Sequence, residues 1–220
     1  STCSWMLVRC WTSRTCLSRV LPEVTGCPEI IAIQAIRDAA IDFCERSHAY
    51  QQDLDPVSTR KGASEYDLEA PTGYVVARIM NAWFGQTKLT PAAPDMIRVP
   101  DAYRVTPGQS DPKFYFQKTA KTVSVLPVPD VQTNSALTIR AALKPTRSSD
   151  SIDDEIFEEY AEIIAHGAKY RLMLMPAKPF SSESAAAIEK ALFDAGVNKA
   201  RTRASTGYVR SNLSVKLRRI

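Results

Sequence analysis

The spacing of apolar residues changes twice along this chain, and the change restricts the possible folds more than any other feature. From Ile30 to Cys44, apolar residues recur every three or four positions, which is typical of one face of a helix. Between Tyr66 and Leu143 the period is two, which predicts strands. The helical period returns at Ile156. A chain with helices at both ends and strands between them is predicted to be an α+β protein.

The helical segments predict a bundle made of one N-terminal helix and two C-terminal helices. The first begins at Pro28, whose missing N–H would be unpaired in a first turn in any case. The second runs from Ile152 to Met175, and its apolar face is predicted to follow Ile156, Tyr160, Ile163, Ile164, Gly167, Arg171 and Leu174. The third is capped by Ser181 or Ser182 and is predicted to pack through Ala185, Ile188, Leu192 and Ala195.

Gly167 lies in the middle of the second of these helices. Glycine in a helix interior costs about 1 kcal/mol relative to alanine. We expect a close contact with another backbone to offset this cost.

An antiparallel β-region is predicted between the helices. Its strands are expected within 73–85, 114–117, 122–126 and 136–143, the last of which ends at Pro145. The predicted division of the chain is therefore an N-terminal arm (1–27), a helical core (28–50 and 150–204), a β-rich insertion (65–147) and an extended basic C-terminal tail strand (205–220).

Composition excludes several classes of protein. The 220 residues are 45% hydrophobic and 24% charged, which fits a soluble globular protein and not a disordered one. No apolar run reaches the roughly 18–20 residues that cross a bilayer, so neither a membrane protein nor an exported one is expected.

The five cysteines, at 3, 10, 16, 27 and 44, are odd in number and include no C-x-x-C pair. Reduced thiols and synthesis in a cytosol are the simpler interpretation, and no zinc site is predicted.

Charge is distributed unevenly around a net value of +4. Seven acids and no bases lie between Asp150 and Glu162, whereas seven bases and no acids follow from Lys199 to the end. This asymmetry indicates either a tail that binds an acidic partner, protein or phosphate, or simply solvated surface charge.

Reactive constellations are scarce in the sequence. There is no glycine-rich phosphate loop, and the two histidines are His48 and His166. Cys44 and His48 are one helical turn apart and form a conceivable nucleophilic pair, although a buried cysteine beside a surface histidine is the simpler interpretation. Asp154 and Glu158 are paired carboxylates that fit a solvated helix turn better than a catalytic site. We therefore predict no enzymatic activity, no cofactor and no metal.

The C-terminal tail supports two hypotheses. Lys216, Arg218 and Arg219 would neutralise phosphates if the tail binds nucleic acid, in a salt-dependent way. The alternation of Leu213, Val215 and Leu217 instead suits a strand that adds to the sheet edge of another subunit. We favour strand addition because base stacking would have only Tyr208 to use. The predicted partner-binding residues are Tyr208, Arg210, Leu213, Val215, Lys216, Leu217, Arg218, Arg219 and Ile220.

Three stretches together resemble a known family. They are Val123-Ser-Val-Leu-Pro-Val-Pro-Asp130, Leu143-Lys-Pro-Thr-Arg147 and Ile164-Ala-His-Gly-Ala-Lys-Tyr-Arg-Leu-Met-Leu-Met-Pro176, followed by Lys178-Pro-Phe180 and a helix around 193–200. Their order is similar to that of the head-to-tail adaptor (connector) proteins of tailed bacteriophages, especially short-tailed ones, over about residues 21–220. Phe180 stands where that family would have tryptophan, which leaves an aromatic anchor in place.

The resemblance implies a structural virion protein without an active site. Twelve copies would form a ring in the neck, below the portal protein and above the tail or nozzle proteins, after synthesis in the host cytoplasm. The ring would continue the channel through which double-stranded DNA passes during ejection, without sequence-specific binding. Asp153, Asp154, Glu155 and Glu158 would then face either the channel, where they repel DNA, or the outside of the ring. The alternatives are another neck or tail-tube component, a small nucleic-acid-binding protein with a basic tail, and an enzyme that uses Cys44 and His48.

Overall fold

The structure is a computed structural model that describes residues 9–10, 14–93, 111–130, 132–149 and 151–207. The helices of these ranges are α1 (Arg14–Val20), α2 (Glu29–Ser47), α3 (Asp154–Met173) and α4 (Glu183–Thr206). Their strands are β1 (Arg9–Cys10), β2 (Gln51–Asp53), β3 (Val57–Thr59), β4 (Glu65–Asp67), β5 (Tyr74–Phe84), β6 (Thr87–Lys88), β7 (Thr90–Pro91), β8 (Phe114–Thr119), β9 (Thr122–Leu126), β10 (Thr133–Pro145) and β11 (Ser151–Ile152). The α+β class predicted from the change of period is confirmed.

The strands form two larger sheets and one short pair. One sheet has the order β2-β10-β5-β6, with β3 also paired to β10, and the other has the order β4-β9-β8-β7. The strand pairs are antiparallel except for β7 and β8, which run parallel. The remaining pair joins β1 to β11. Apolar residues of both larger sheets share one hydrophobic core, which includes Val76, Ile79, Val123, Val125, Leu137 and Leu143.

The helices pack as an antiparallel group around a second hydrophobic core. The Tyr160 ring of α3 lies 4.9 Å from the Phe43 ring of α2, while Gly167, two turns further along α3, lies beside Ala39. These contacts place the start of α2 at the same end as the finish of α3. Helix α4 runs back along α3, since His166 contacts Glu189 at one end and Glu159 contacts Arg203 at the other. Both ends of α3 are therefore fixed against a neighbouring helix.

The ends of the long helices follow local sequence signals. Pro28 immediately precedes α2, and the Ser182 hydroxyl accepts the backbone N–H of Ala185 at the start of α4. His48 ends α2 in the left-handed conformation at φ 53°. Gly207 ends α4, with its N–H donated to the carbonyl of Arg203.

Several predicted boundaries differ from the structure. Helix α1 and the turns after it lie within the segment assigned to an N-terminal arm, but Leu17, Val20 and Val24 are buried in the helical core. Strands β2 and β3 begin the sheet before residue 65, in a stretch whose polar residues hide the strand pattern. Helix α3 has 20 residues instead of the 23 or so expected from its period, which makes it about 30 Å long.

Two glycines allow α3 and α4 to approach closely. A Cβ atom added to Gly167 would lie 2.7 and 2.8 Å from two carbons of the Phe193 ring and 3.0 Å from the Cβ of Ala39. One added to Gly196 would lie 2.8 Å from Ile163. The close contact expected at Gly167 is thus made, but with a ring and a methyl group where another backbone was predicted. Phe193 occupies the space that a side chain at residue 167 would need.

Candidate interaction surfaces

The predicted partner-binding residues of the tail lie outside the described residues. These are Tyr208, Arg210, Leu213, Val215, Lys216, Leu217, Arg218, Arg219 and Ile220. The last described residue is Gly207, which completes the cap of α4. The partner-binding assignment of the tail therefore stays a prediction.

The four acids named as candidates for the channel surface, which we call the acidic row (Asp153, Asp154, Glu155 and Glu158), are divided between two environments. Asp153 is half-buried and joins the helices to the sheet: its carboxylate accepts the Tyr50 hydroxyl at 3.2 Å, and its N–H is donated to the Tyr74 hydroxyl at 2.7 Å. Burial raises the pKa of Tyr74 to about 12, so the phenol stays protonated at neutral pH. Asp154 is half-buried, whereas Glu158 is exposed on α3. The side chain of Glu155 lies outside the described part, and among the described acids of this row Glu158 alone is exposed.

Four large apolar side chains that the sequence assigned to core faces lie on the surface. Ile30 is 73% exposed on α2, Leu174 is 54% exposed just after α3, and Ile188 and Leu192 are 64% and 46% exposed on α4. The predicted packing face of α4 through Ala185, Ile188, Leu192 and Ala195 is therefore wrong: Ala185 is half-buried and the other three are exposed.

The buried face of α4 is made by other residues. Ala186, Phe193, Val197 and Ala200 contact the helical core, and each is at most 2% exposed. At about 100° per residue these positions share one side of the helix, and Leu192 and Ile188 lie about 100° and about 140° round the axis from Phe193. The helix carries two apolar faces, and its period alone does not reveal which one packs. Phe193, the one aromatic residue of α4, was the signal for the correct face, because a ring of that size gains most from burial.

A network of charges fixes the inner side of α4. The ammonium group of Lys169, which is buried, lies 2.9 Å from Glu23 and 3.2 Å from Glu189. Glu189 also contacts Nδ1 of His166 at 2.6 Å. His166 therefore lies at the interface of α3 and α4. Because Glu189 contacts two basic side chains of α3, this side of α4 faces the interior of the subunit.

A basic cleft lies where the helices meet the sheets. It encloses about 460 Å³ between the ends of α2 and α4 and strands β5 and β8. Its lining includes His48, Arg78 and Arg201 together with Tyr115 and Gln117. Burial, and after it the charges of Arg78 and Arg201, lowers the pKa of His48. The histidine is consequently neutral at pH 7, and the arginines supply the positive charge of the cleft.

Cys44 does not have the environment of a nucleophile. It is fully buried in α2, and burial raises its pKa to about 12, whereas a reactive thiol needs a lowered pKa and access to solvent. Among the described residues, no group of three or more His, Cys, Asp and Glu side chains is placed to hold a metal ion. No helix within the described ranges has the length and apolar character to cross a membrane.

Alkylation tests the burial of Cys44. At pH 7.5 we expect Cys44 in the folded protein to react with iodoacetamide at least about 100-fold more slowly than half-buried Cys27, because its thiolate is both rarer and inaccessible. Peptide mass spectrometry after timed quenching measures both rates. Alkylation of Cys44 at the rate of a free cysteine would instead support the enzymatic alternative.

The chain is similar to a known protein family. A protein-family model described as SU10 adaptor protein matches residues 7–215, which is nearly the whole chain. A search of curated proteins found no match.

Proposed function

Because the chain belongs to the SU10 adaptor protein family, and is thus a structural phage head-to-tail adaptor, we propose that it forms a ring between portal and tail. The ring contains twelve copies in this proposal and continues the channel through which DNA leaves the head. The observation that carries the proposal is the extent of the match, since residues 7–215 include both hydrophobic cores and the first part of the tail.

The tail is the proposed connection to the portal. It follows Gly207, where α4 already has its cap, so that contacts made by the tail need not disturb the helical pack. Its alternating Leu213, Val215 and Leu217 suit strand addition to a portal sheet edge, and Lys216, Arg218 and Arg219 would pair with acids there. Strand addition would use backbone hydrogen bonds for affinity and alternate side chains for specificity.

The acidic row is the proposed channel surface. Glu158 is exposed on α3, and Asp153 and Asp154 lie beside it at the start of the same helix. A ring repeats each carboxylate in every copy, so even a few acids per subunit would give a strongly negative lining. Such a lining repels the phosphates of passing DNA and thereby keeps the DNA from binding to the wall.

Deletion of residues 208–220 tests the proposed role of the tail. We expect the truncated protein to keep the circular dichroism and unfolding free energy of the full chain, because the buried residues of both hydrophobic cores lie between Leu17 and Ala200. We expect it to lose measurable binding to purified portal protein, as followed by sedimentation or biolayer interferometry. Tight portal binding by the truncated form would refute this role.

A matched variant separates strand addition from phosphate binding. Replacing Lys216, Arg218 and Arg219 by glutamine keeps the apolar alternation, so portal binding should weaken by only about 10-fold. The nucleic-acid alternative predicts instead that the full chain binds DNA with a steep dependence on salt, and that this variant loses that binding.

A further inference from the structure

We propose that the basic cleft between the helices and the sheets binds a small phosphorylated compound, whose phosphate group lies between Arg78 and Arg201. The proposal goes beyond the adaptor function and does not depend on the ring, because the residues that carry it belong to one copy of the chain. The volume of the cleft, about 460 Å³, falls within the roughly 300–1,000 Å³ that is usual for small-molecule sites.

Positive charge enters the cleft from two separate elements. Arg78 lies on β5 and Arg201 lies on α4, and the described residues that line the cleft include no acid. Burial and then the charges of these two arginines lower the pKa of His48, so both guanidinium groups lie near the same histidine. Glu45 acts on His48 in the opposite direction, but its carboxylate pairs with Nζ of Lys144 at 2.9 Å. The cleft is therefore a local excess of positive charge, which attracts anions.

The two arginines have no carboxylate partner. Neither Arg78 nor Arg201 makes a hydrogen bond or an ion pair with any residue in the described ranges. Five other arginines each pair with a carboxylate: Arg46, Arg140, Arg147, Arg171 and Arg203. A guanidinium group binds carboxylate or phosphate oxygens through two parallel hydrogen bonds. Two such groups beside one cleft can therefore hold an anion that carries two charges.

Neutral donors in the same cleft favour phosphate over carboxylate. Burial raises the pKa of Tyr115, so its phenol stays protonated at neutral pH and can donate a hydrogen bond. The Oε1 atom of Gln117 accepts the backbone N–H of Ile79 at 3.2 Å, which leaves the amide NH₂ group as a donor. Together with the arginines, these groups supply donors from β5, β8 and α4. A phosphate group offers three terminal oxygens to such a set, whereas a carboxylate offers two.

Apolar side chains form the rest of the wall. Ile79, Met80, Pro91 and Phe116 line the cleft beside the polar groups. They suit the organic part of a phosphate ester, since small-molecule sites combine an apolar wall with a few polar groups that fix orientation. Duplex DNA is too stiff and too wide to enter a cleft of this volume. A small phosphate ester is therefore favoured over nucleic acid.

Inorganic phosphate tests the site on the purified full chain at pH 7.5. Equilibrium dialysis with radiolabelled phosphate should show one saturable site per chain. Arg78→Gln with Arg201→Gln should weaken this binding at least about 10-fold, because two charge-assisted contacts are lost. Both side chains are exposed, so the variant should fold, as circular dichroism would show.

A matched variant controls for net charge. Lys190→Gln with Lys199→Gln removes the same charge from exposed positions of α4 that do not line the cleft, and it should bind phosphate as wild type does. Equal weakening by the arginine and lysine variants would show only a general effect of charge and would overturn the proposal.

The two histidines of the chain provide a second readout. Their ring protons can be followed by NMR through a pH titration with and without sulfate, which stays a dianion throughout and stands for the phosphate dianion. An anion between the arginines offsets their charges, so sulfate should raise the pKa of His48. His166 contacts Glu189 at the interface of α3 and α4, and its titration should not respond to sulfate. The effect on His48 should disappear in the arginine variant.

Three further results would contradict the proposal. They are the absence of saturable phosphate binding, phosphate binding that the arginine variant keeps, and a His48 titration that sulfate leaves unchanged. Binding that requires duplex DNA, falls steeply with salt and is not displaced by phosphate would assign the arginines to nucleic acid and overturn the proposal as well. None of these measurements involves portal protein, so the failure of this site would leave the proposed ring untouched.

Discussion

Replacing Phe193 by alanine should lower the free energy of unfolding by about 3–5 kcal/mol, the range for large cavities in a packed core. The ring is completely buried and fills the space left open by Gly167. The centroid of the Phe193 ring lies 5.9 Å from that of the Tyr170 ring. The guanidinium carbons of Arg46 and Arg171 lie 5.6 and 5.7 Å from the Phe193 centroid. Alanine therefore removes apolar burial together with the aromatic and cation–π contacts that join all three long helices.

Urea unfolding followed by circular dichroism measures this loss, and the adjacent residue supplies the control. Leu192→Ala removes a large apolar side chain from the exposed face of the same helix, and we expect a change within about 0.5 kcal/mol at concentrations where the protein is monomeric. Equal losses for Phe193→Ala and Leu192→Ala would contradict the assignment of the buried face of α4.

Replacing Gly167 by valine should lower the unfolding free energy by about 3 kcal/mol, which is the upper part of the usual range for overpacking. The first added carbon alone would lie 2.7 Å from the Phe193 ring, and a fully buried ring has no free space into which to move. Gly167→Ala should lower the unfolding free energy by less, because the higher helix propensity of alanine offsets the clash by about 1 kcal/mol. Thermal and urea unfolding of the two variants would show the gradation.

A matched control and a compensating change test whether the loss of stability comes from the clash with Phe193. Ala191→Val introduces the same side chain on the exposed face of α4, where only helix propensity opposes it, at a cost of about 0.5 kcal/mol. Combining Gly167→Ala with Phe193→Leu should cost less than the sum of the single changes, since a smaller side chain relieves the clash. Additive losses would show that the two residues do not compete for the same space.

The sequence was informative where one pattern dominated a segment. The strands β5, β9 and β10 and the helices α2 and α3 follow apolar periods of two and of three to four, so the class of fold was predictable. Helix α1 was missed because seven residues hold barely two turns, and its role depends on Leu17 and Val20 meeting α3 and its neighbours. This burial arises only when the helices pack together. It therefore cannot be predicted from the spacing of apolar residues within α1.

The error on α4 has a different origin. Ile188 and Leu192 satisfy the helical period as well as Phe193 and Val197 do, so the sequence contains two candidate faces. The folded subunit buries only one of these faces. Gly167 leaves space for the Phe193 ring and Gly196 leaves space for Ile163, so α3 and α4 pack closely through the Phe193 face. Ile30 and Leu174 were also counted as core residues. The sequence predicts more buried surface than one subunit provides, which is the expected property of a chain that packs against copies of itself.

The central claim is that this adaptor completes its packing only within a ring of identical copies. Mass photometry or electron microscopy of the purified chain, mixed with portal protein, measures this most directly. We expect one closed species whose mass corresponds to the portal plus twelve adaptor copies. A chain that stays a monomer beside the portal, with Ile188 and Leu192 open to solvent, would contradict the claim.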